Sequence, residues 1–186
     1  MKLRDYQIDC IDTIDAQPPG AYLAQMATGL GKTVTFANLP RHGKRMLILS
    51  HREELVEQPR KYFDCSFGVE RAALQSYDEE VVSASVQSLV RRLHRFRADE
   101  FGLIICDEAH RTTGVTLKDE DDSAFVKVHD NTFIQAKKRL YMTATPRLYA
   151  EESKKKAKEA DAYLCSMDDE AMYGPEVFRI GFGEAV

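Results

Sequence analysis

The sequence predicts an α/β domain in which helices cover both faces of a mainly parallel central sheet. Three observations lead to this class. Apolar runs of strand length recur along the chain, segments with helical spacing of apolar residues separate them, and polar or glycine residues follow several runs directly. Ligands of open parallel sheets bind at the carboxyl ends of the strands, so the candidate functional residues should share one edge.

Length and composition fit one domain. The chain has 186 residues, of which 44% are hydrophobic and 30% charged. It has no apolar run of the roughly 18 residues that a membrane span needs, and no apolar signal segment follows Met1, so we expect a cytoplasmic location and no membrane partner. The net charge of -4 does not mark a nucleic-acid binder, but a local basic groove can still bind phosphates.

The four cysteines lie far apart and include no C-x-x-C pair. Neither a zinc site nor a disulfide framework is indicated. We expect reduced thiols, with Cys106 buried inside an apolar run.

A short amphipathic helix is expected first, over residues 3–14, ending before the prolines at 18 and 19. It carries the pattern L-R-x-Y-Q, which includes Arg4, Tyr6 and Gln7. A glutamine amide can pair with N6 and N7 of adenine. Taken alone, the segment is explained more simply as an ordinary surface helix.

The strand-like run at residues 21–24 leads into M-A-T-G-L-G-K-T at residues 26–33, and a helix can open at residue 34. Gly29 and Gly31 can adopt positive φ and let the backbone approach an anion closely. Lys32 would reach the β- and γ-phosphates, and the Thr33 hydroxyl would ligate Mg²⁺. Met26 departs from the first glycine of G-x-x-x-x-G-K-S/T. A chance glycine turn with a solvated lysine is the alternative.

Residues 46–49 predict a buried strand, and Ser50 is a candidate cap for a helix that ends or kinks at Pro59. Arg52, at the strand's carboxyl end, could hold a phosphate or form an exposed ion pair. Residues 71–74 and 81–86 are short strand candidates, followed by a helix from Gln87 towards Arg97. The basic run at residues 91–97 is either a nucleic-acid patch or a solvated helix face.

A further apolar run, residues 101–106, delivers Asp107 and Glu108 at its carboxyl end, where they can face the glycine loop. Asp107 would hold Mg²⁺, and Glu108 would orient or deprotonate an attacking water. A surface turn is the alternative. A later strand at residues 138–142 ends in T-A-T-P, which could also be a simple turn closed by proline. Residues 119–122 should form a solvated acidic loop, residues 151–159 an exposed helix, and residues 162–165 and 177–180 the last strands.

The ordered motifs A-T-G-L-G-K-T, S-H-R-E-E-L, S-V-Q-S-L, D-E-A-H and T-A-T-P, together with Gln7, resemble the first RecA-like lobe of a DEAH-bearing superfamily 2 helicase or translocase. The match spans residues 3 to about 147, and the sequence around the motifs is similar to that of restriction-type and phage-type motors. The resemblance implies a three-layer RecA-like P-loop domain that uses ATP and Mg²⁺ on DNA. It assigns nucleotide binding to Arg4, Gln7, Thr28, Gly29, Leu30, Gly31, Lys32 and Thr33; metal binding to Thr33 and Asp107; catalysis to Lys32, Asp107, Glu108 and His110; and backbone contact or coupling to Arg52, Ser85, Ser88, Thr143 and Thr145.

The resemblance also implies a division of the chain. Residues 1–186 would be the N-terminal lobe, with a motif-bearing core at 1–150 and an extension at 151–186 leading towards a second lobe that carries an arginine finger. A fragment of this kind should bind Mg-nucleotide weakly and hydrolyse it slowly. A nucleotide-dependent switch that binds ATP without translocating is the alternative, although Lys32, Asp107 and Glu108 together favour the motor.

Overall fold

A computed structural model describes residues 2–50, 55–97, 99–112, 114–117, 127, 129–160 and 162–185. Seven strands form one sheet: β1 (Gly20–Met26), β2 (Arg45–Ser50), β3 (Phe67–Glu70), β4 (Val81–Ser85), β5 (Phe101–Cys106), β7 (Lys138–Thr143) and β9 (Glu176–Ile180). Their order across the sheet is β3-β4-β2-β5-β7-β1-β9, and every neighbouring pair is parallel. A separate antiparallel pair joins β6 (Gly114–Leu117) to β8 (Ala162–Cys165).

Five α-helices are described: α1 (Asp5–Asp15), α2 (Lys32–Ala37), α3 (Val86–Arg92), α4 (Glu151–Glu159) and α5 (Glu170–Tyr173). Short 3-10 helices lie at Gln58–Tyr62, Leu93–Arg95, Ala109–Thr112 and Phe182–Glu184. The helix α1 buries Cys10, Ile11 and Ile14, which share one face at helical spacing.

The core has two parts, one on each face of the sheet. Met46 and Ile48 of β2 point into the cluster shared with α1 and α2, while Leu47 and Leu49 point into the cluster that includes Leu89 of α3. Alternate side chains of a strand project to opposite faces, so a continuous apolar run indicates a strand covered on both sides. The three-layer α/β fold with a parallel sheet is therefore confirmed.

Parallel pairing brings the carboxyl ends of all seven strands to one edge of the sheet. The glycine loop follows β1 there, Asp107 and Glu108 follow β5, and Thr143 ends β7. The loop and the strand-end acids are thereby brought together from positions far apart in sequence.

Two local predictions were wrong, and a third lies partly outside the described residues. The strand expected at residues 71–74 lies at Phe67–Glu70, and Arg71 and Leu74 form only an isolated bridge. The helix expected towards Arg97 ends at Arg92 and continues as a 3-10 turn. The helix expected from Ser50 falls partly on residues 51–54, outside the described residues, and Gln58–Tyr62 is a 3-10 helix.

The strands at residues 138–142, 162–165 and 177–180 and the helix at 151–159 are confirmed. All four cysteines are free, and Cys106 is buried. Burial raises the pKa of the Cys106 thiol to about 12, which keeps it protonated and inert. The predicted acidic loop at residues 119–122 lies outside the described residues. Within the part of the chain that the structure describes, no helix is long and apolar enough to cross a membrane.

Candidate functional site

The glycine loop between β1 and α2 adopts the conformation that its glycines permit. Gly29 and Gly31 have φ of 86° and 82°, in the left-handed region. A Cβ atom at Gly31 would lie 2.6 Å from Nε2 of Gln7, whereas one at Gly29 would meet nothing within 4 Å. The loop is therefore packed tightly against α1 at Gly31 and open at Gly29, where a ligand can approach its backbone.

Lys32 and Glu108 meet across this edge of the sheet. Lys32 Nζ lies 3.3 Å from Glu108 Oε1, and the two side chains are 11% and 32% exposed. Glu108 has φ of 52°, which is uncommon for a residue with a side chain and marks local backbone strain. This strained turn places the second strand-end carboxylate at the loop lysine rather than in solvent.

Asp107 lies beneath this pair, at the end of β5. Its backbone N-H donates to the Leu49 carbonyl (3.1 Å), and the Glu108 N-H donates to Asp107 Oδ1 (2.9 Å). Burial, and then the neighbouring charge of Glu108, raise the pKa of Asp107 to about 6, although Lys32 acts in the opposite direction. The site thus holds two carboxylates and a single lysine in a poorly solvated position.

This arrangement suits a hard divalent cation. Mg²⁺ prefers oxygen ligands and relieves repulsion between close carboxylates. Asp107 supplies a half-buried carboxylate whose charge Lys32 only partly compensates, and Thr33 brings a hydroxyl in the first turn of α2 beside Lys32. The residues present therefore fit the metal, and a ligand set of Thr33 and Asp107 stays a prediction.

A chain of polar contacts leads from Glu108 to the protein surface. His110 Nδ1 lies 3.4 Å from Glu108 Oε2 and 3.0 Å from Oγ1 of the buried Thr143. The backbone N-H of Thr145, which is exposed, donates to the same Thr143 hydroxyl at 3.3 Å. The structure brings the D-E-A-H and T-A-T-P segments into direct contact, so a change at Glu108 can reach the loop after β7.

The start of α1 braces the glycine loop from outside. The side chain of Gln7 is buried; its Nε2 donates to the Leu30 carbonyl (3.1 Å), and its Oε1 accepts from the Arg4 backbone N-H (3.0 Å). Tyr6 also donates its hydroxyl to the Leu30 carbonyl. Leu30 is a core residue, while Arg4 and Thr28 are exposed at the same corner. All predicted nucleotide residues thus gather around one loop.

The predicted nucleic-acid residues divide into different environments. Ser85 is fully buried, and its hydroxyl caps α3 by accepting the Ser88 N-H at 3.2 Å. In this structure the Ser85 hydroxyl therefore acts as a helix cap, and its contact with a phosphate stays a prediction. Ser88 is half-buried and accepts from the Ala72 N-H, and Arg52 lies outside the described residues.

Two arginines of the basic run at residues 91–97 have a structural role that neither alternative included, while nucleic-acid contact by the exposed residues of the run stays a prediction. Arg92 and Arg95 each pair with Glu70, at 2.9 and 2.7 Å, and Glu70 is 0% exposed. Sequence reasoning missed this cluster. The available signal was the three-residue spacing of the two arginines, which puts them on one side of a helical turn.

The fold and the site together define the first RecA-like lobe of a superfamily 2 helicase. The chain belongs to the family described as Type III restriction enzyme, res subunit (ResIII), whose model matches residues 1–148. Membership in a helicase family implies the use of ATP.

Individual relatives agree with this assignment. A protein of Saccharomyces cerevisiae named as an ATP-dependent helicase, IRC3, is 39% identical over 131 residues, covering 59% of this chain and 19% of that protein. The ATP-dependent Type ISP restriction-modification enzyme LlaBIII bound to DNA superposes with a TM-score of 0.71 at 30% identity, covering 100% of this chain and 16% of that chain. The Pyrococcus furiosus Hef helicase domain matches with a TM-score of 0.66 at 22% identity, covering 95% and 37%, and supports the fold. The chain thus spans a small part of the length of these relatives.

Proposed function

We propose that this chain is the ATP-binding lobe of a motor that hydrolyses ATP in order to move along DNA. The observation that carries the proposal is the contact between Lys32 and Glu108, with the half-buried Asp107 beside them at the carboxyl edge of the sheet. The names of two relatives support it, since one is an ATP-dependent helicase and another is an ATP-dependent enzyme bound to DNA.

Binding of the triphosphate rests on the loop at residues 29–33. Exposed backbone at Gly29 and the positive charge of Lys32 can meet phosphate oxygens, and such charge-assisted contacts are stronger than neutral ones. When ATP approaches, Lys32 exchanges its contact with Glu108 for one with phosphate. Glu108 is then released as a carboxylate that can accept a hydrogen bond from a water molecule.

Hydrolysis in this proposal needs both carboxylates in different roles. Asp107 and Thr33 would hold Mg²⁺, which neutralises the charge that builds on the transferring phosphoryl group. Glu108 orients the attacking water and accepts its proton, within reach of His110. An arginine facing the loop from a second lobe would supply the remaining stabilisation, which is worth roughly 10³ to 10⁵ in rate in related enzymes.

Movement along DNA requires that the state of the nucleotide alter a distant surface. The contacts from Glu108 through His110 and Thr143 to Thr145 offer such a connection. We assign backbone contact to Thr145, Ser88 and Arg52, so binding should depend on salt and little on sequence. In this proposal, residues 1–150 form the core and residues 151–186 lead towards the second lobe.

Calorimetry with Mg-ATP tests the proposal. Lys32→Ala should weaken binding at least about 30-fold, since truncating one partner of a desolvated charge pair costs roughly 2–5 kcal/mol. The matched control is Lys137→Ala, because Lys137 is exposed at the opposite edge of the sheet, just before β7. Equal affinities of the two variants would contradict the assignment of the loop. DNA-stimulated hydrolysis by the longer protein would then separate a motor from a nucleotide switch that binds without turnover.

A further inference from the structure

Phe182 is a large aromatic side chain that the core does not use. It is 67% exposed and begins the 3-10 turn Phe182–Glu184, directly after β9. The turn is held in place on both sides. The Gly181 N-H donates to Glu184 Oε2 at 2.7 Å, and Ala185 packs against the core cluster that contains Leu30. The exposed ring therefore stands on an anchored segment.

The turn lies at the same edge as the glycine loop. Strand β9 pairs with β1 in a register that joins Met26 to Ile180, and the Ala27 N-H donates to the Ile180 carbonyl at 3.1 Å. The loop begins one residue after Ala27, and Phe182 follows two residues after Ile180. The two chain segments therefore leave the sheet side by side.

The start of α1 meets this corner as well. Lys138, at the beginning of β7, donates to the carbonyls of Ile14 and Asp15, so the end of α1 lies at the amino edge of the sheet. Its first turn therefore lies at the carboxyl edge, where Gln7 contacts Leu30. Because α1 also packs against β9, Gln7 and Phe182 lie on adjoining elements beside the loop.

We propose that Phe182 is the platform on which the purine base of the nucleotide stacks. The inference rests on the proposed function, because it needs a triphosphate on the loop. A base that extends from this triphosphate towards Gln7 needs a hydrogen-bonding edge and an apolar face. Each polar atom of the Gln7 amide already makes one hydrogen bond within the fold, with the Leu30 carbonyl and with the Arg4 N-H, so its second N-H and second lone pair are what it offers to the base edge. Phe182 provides the apolar face.

Fluorescence gives a direct test, because the chain contains no tryptophan. The emission of the Phe182→Trp variant should change on addition of Mg-ATP and stay constant with Mg-bound inorganic triphosphate, which has no base to stack. Tyr77→Trp is the matched control, since Tyr77 is 70% exposed in the loop between β3 and β4, at the other end of the sheet. No change in emission of the Phe182→Trp variant at saturating Mg-ATP would overturn the inference.

Affinity provides the second readout. Phe182→Ala should weaken Mg-ATP binding about tenfold, within the range that alanine substitution gives for base stacking, while triphosphate affinity stays constant. Phe182→Tyr should restore binding. If both ligands weaken equally, the residue acts on the fold or on contact with another part of the protein, and the inference is wrong.

The two proposals fail in different ways. If Mg-ATP binds, and binding is lost in Lys32→Ala but unchanged in Phe182→Ala, only the stacking inference is overturned. If the unaltered chain binds neither Mg-ATP nor triphosphate, the nucleotide site itself is wrong, and the stacking inference is wrong with it.

Discussion

Two carboxylates at the carboxyl edge of the same sheet, the buried Glu70 and the half-buried Asp107, have opposite surroundings. Glu70, at the end of β3, receives hydrogen bonds from the Ser76 N-H at 2.7 Å and the Ser76 hydroxyl at 3.0 Å, besides its pairs with Arg92 and Arg95. Asp107, at the end of β5, has another carboxylate next to it and shares one lysine with that neighbour.

The pKa values of the two groups reflect this difference. Burial alone would raise the pKa of Glu70, but hydrogen bonds from Arg92 and Ser76 and the charge of Arg95 outweigh it, so the pKa is lowered. Burial and the charge of Glu108 raise the pKa of Asp107 to about 6. The first carboxylate has its partners within the fold, whereas the second is left with an affinity for a cation.

The comparison separates a structural cluster from a functional one. Arg92 also donates to the carbonyls of Leu74 and Ala72, and Arg95 donates to that of Ser76, so the Glu70 cluster fixes the loop between β3 and β4. Glu108, by contrast, has a strained backbone and a partly exposed side chain, and both features suit a carboxylate that must contact water in the proposed reaction. Removing charge should therefore have opposite consequences for stability at the two places.

The largest expected effect is on turnover. Glu108→Gln should lower ATP hydrolysis by roughly 10² to 10⁴, because the amide cannot accept the proton of the attacking water. Affinity for Mg-ATP should change little, since Lys32 keeps its phosphate contact. Single-turnover hydrolysis of radiolabelled ATP with excess protein measures even a slow rate.

Glu152→Gln is the control for this experiment, because Glu152 is exposed on α4 and pairs with the exposed Lys156 of the same helix. Hydrolysis by Glu108→Gln at the rate of this control would show that Glu108 is not the base.

A second effect concerns stability at the other cluster. Glu70→Gln should lower the free energy of unfolding by about 2–3 kcal/mol, because Arg92 and Arg95 lose their buried counter-charge but remain partly solvated. Chemical denaturation at neutral pH measures the loss. Glu151→Gln, on the exposed start of α4, should cost little.

The pH dependence follows from the lowered pKa of Glu70. Ionised Glu70 contributes stability above its unfolded pKa of about 4.3, and this contribution is lost as the pH falls through the lower folded value. The difference in the free energy of unfolding between the unaltered chain and Glu70→Gln should thus reach its full size at pH 7 and shrink below about pH 4. A difference that stays constant down to pH 2 would show that the charge of Glu70 is not responsible.

Much of the site could be predicted from sequence because its signals are local. The order of strand, glycine loop and helix, and the acids directly after β5, follow from short patterns. The proximity of Lys32 to Glu108 then follows from the parallel sheet alone, because both residues lie just after the carboxyl ends of strands.

The errors arose where neighbours distant in sequence decide the outcome. The strand Phe67–Glu70 was not predicted because it contains Gly68, and glycine is unfavourable inside a strand. The apolar residues after Arg71 matched a strand pattern instead. The capping role of Ser85 was not predicted either, because it depends on where α3 begins, and this helix begins at Val86. The role of Arg92 and Arg95 could not be predicted without the position of β3, which supplies Glu70.

The smallest effect tests the functional side of the comparison. Asp107→Asn should raise the free energy of unfolding by about 1–2 kcal/mol at pH 7, since it removes a half-buried, partly desolvated charge while the side-chain oxygen still accepts the Glu108 N-H. The pKa of Asp107 is raised when the protein folds, so protonation stabilises the fold at low pH and this benefit is lost as the pH rises through about 6. The stabilisation by Asp107→Asn should therefore appear above about pH 6 and vanish below about pH 4. A carboxylate whose charge stabilises the fold would show the opposite, because its replacement would destabilise the protein at neutral pH. Thermal unfolding across this range without added Mg²⁺ measures it, and a variant that is less stable than the unaltered chain at pH 7 would place Asp107 in the same structural class as Glu70.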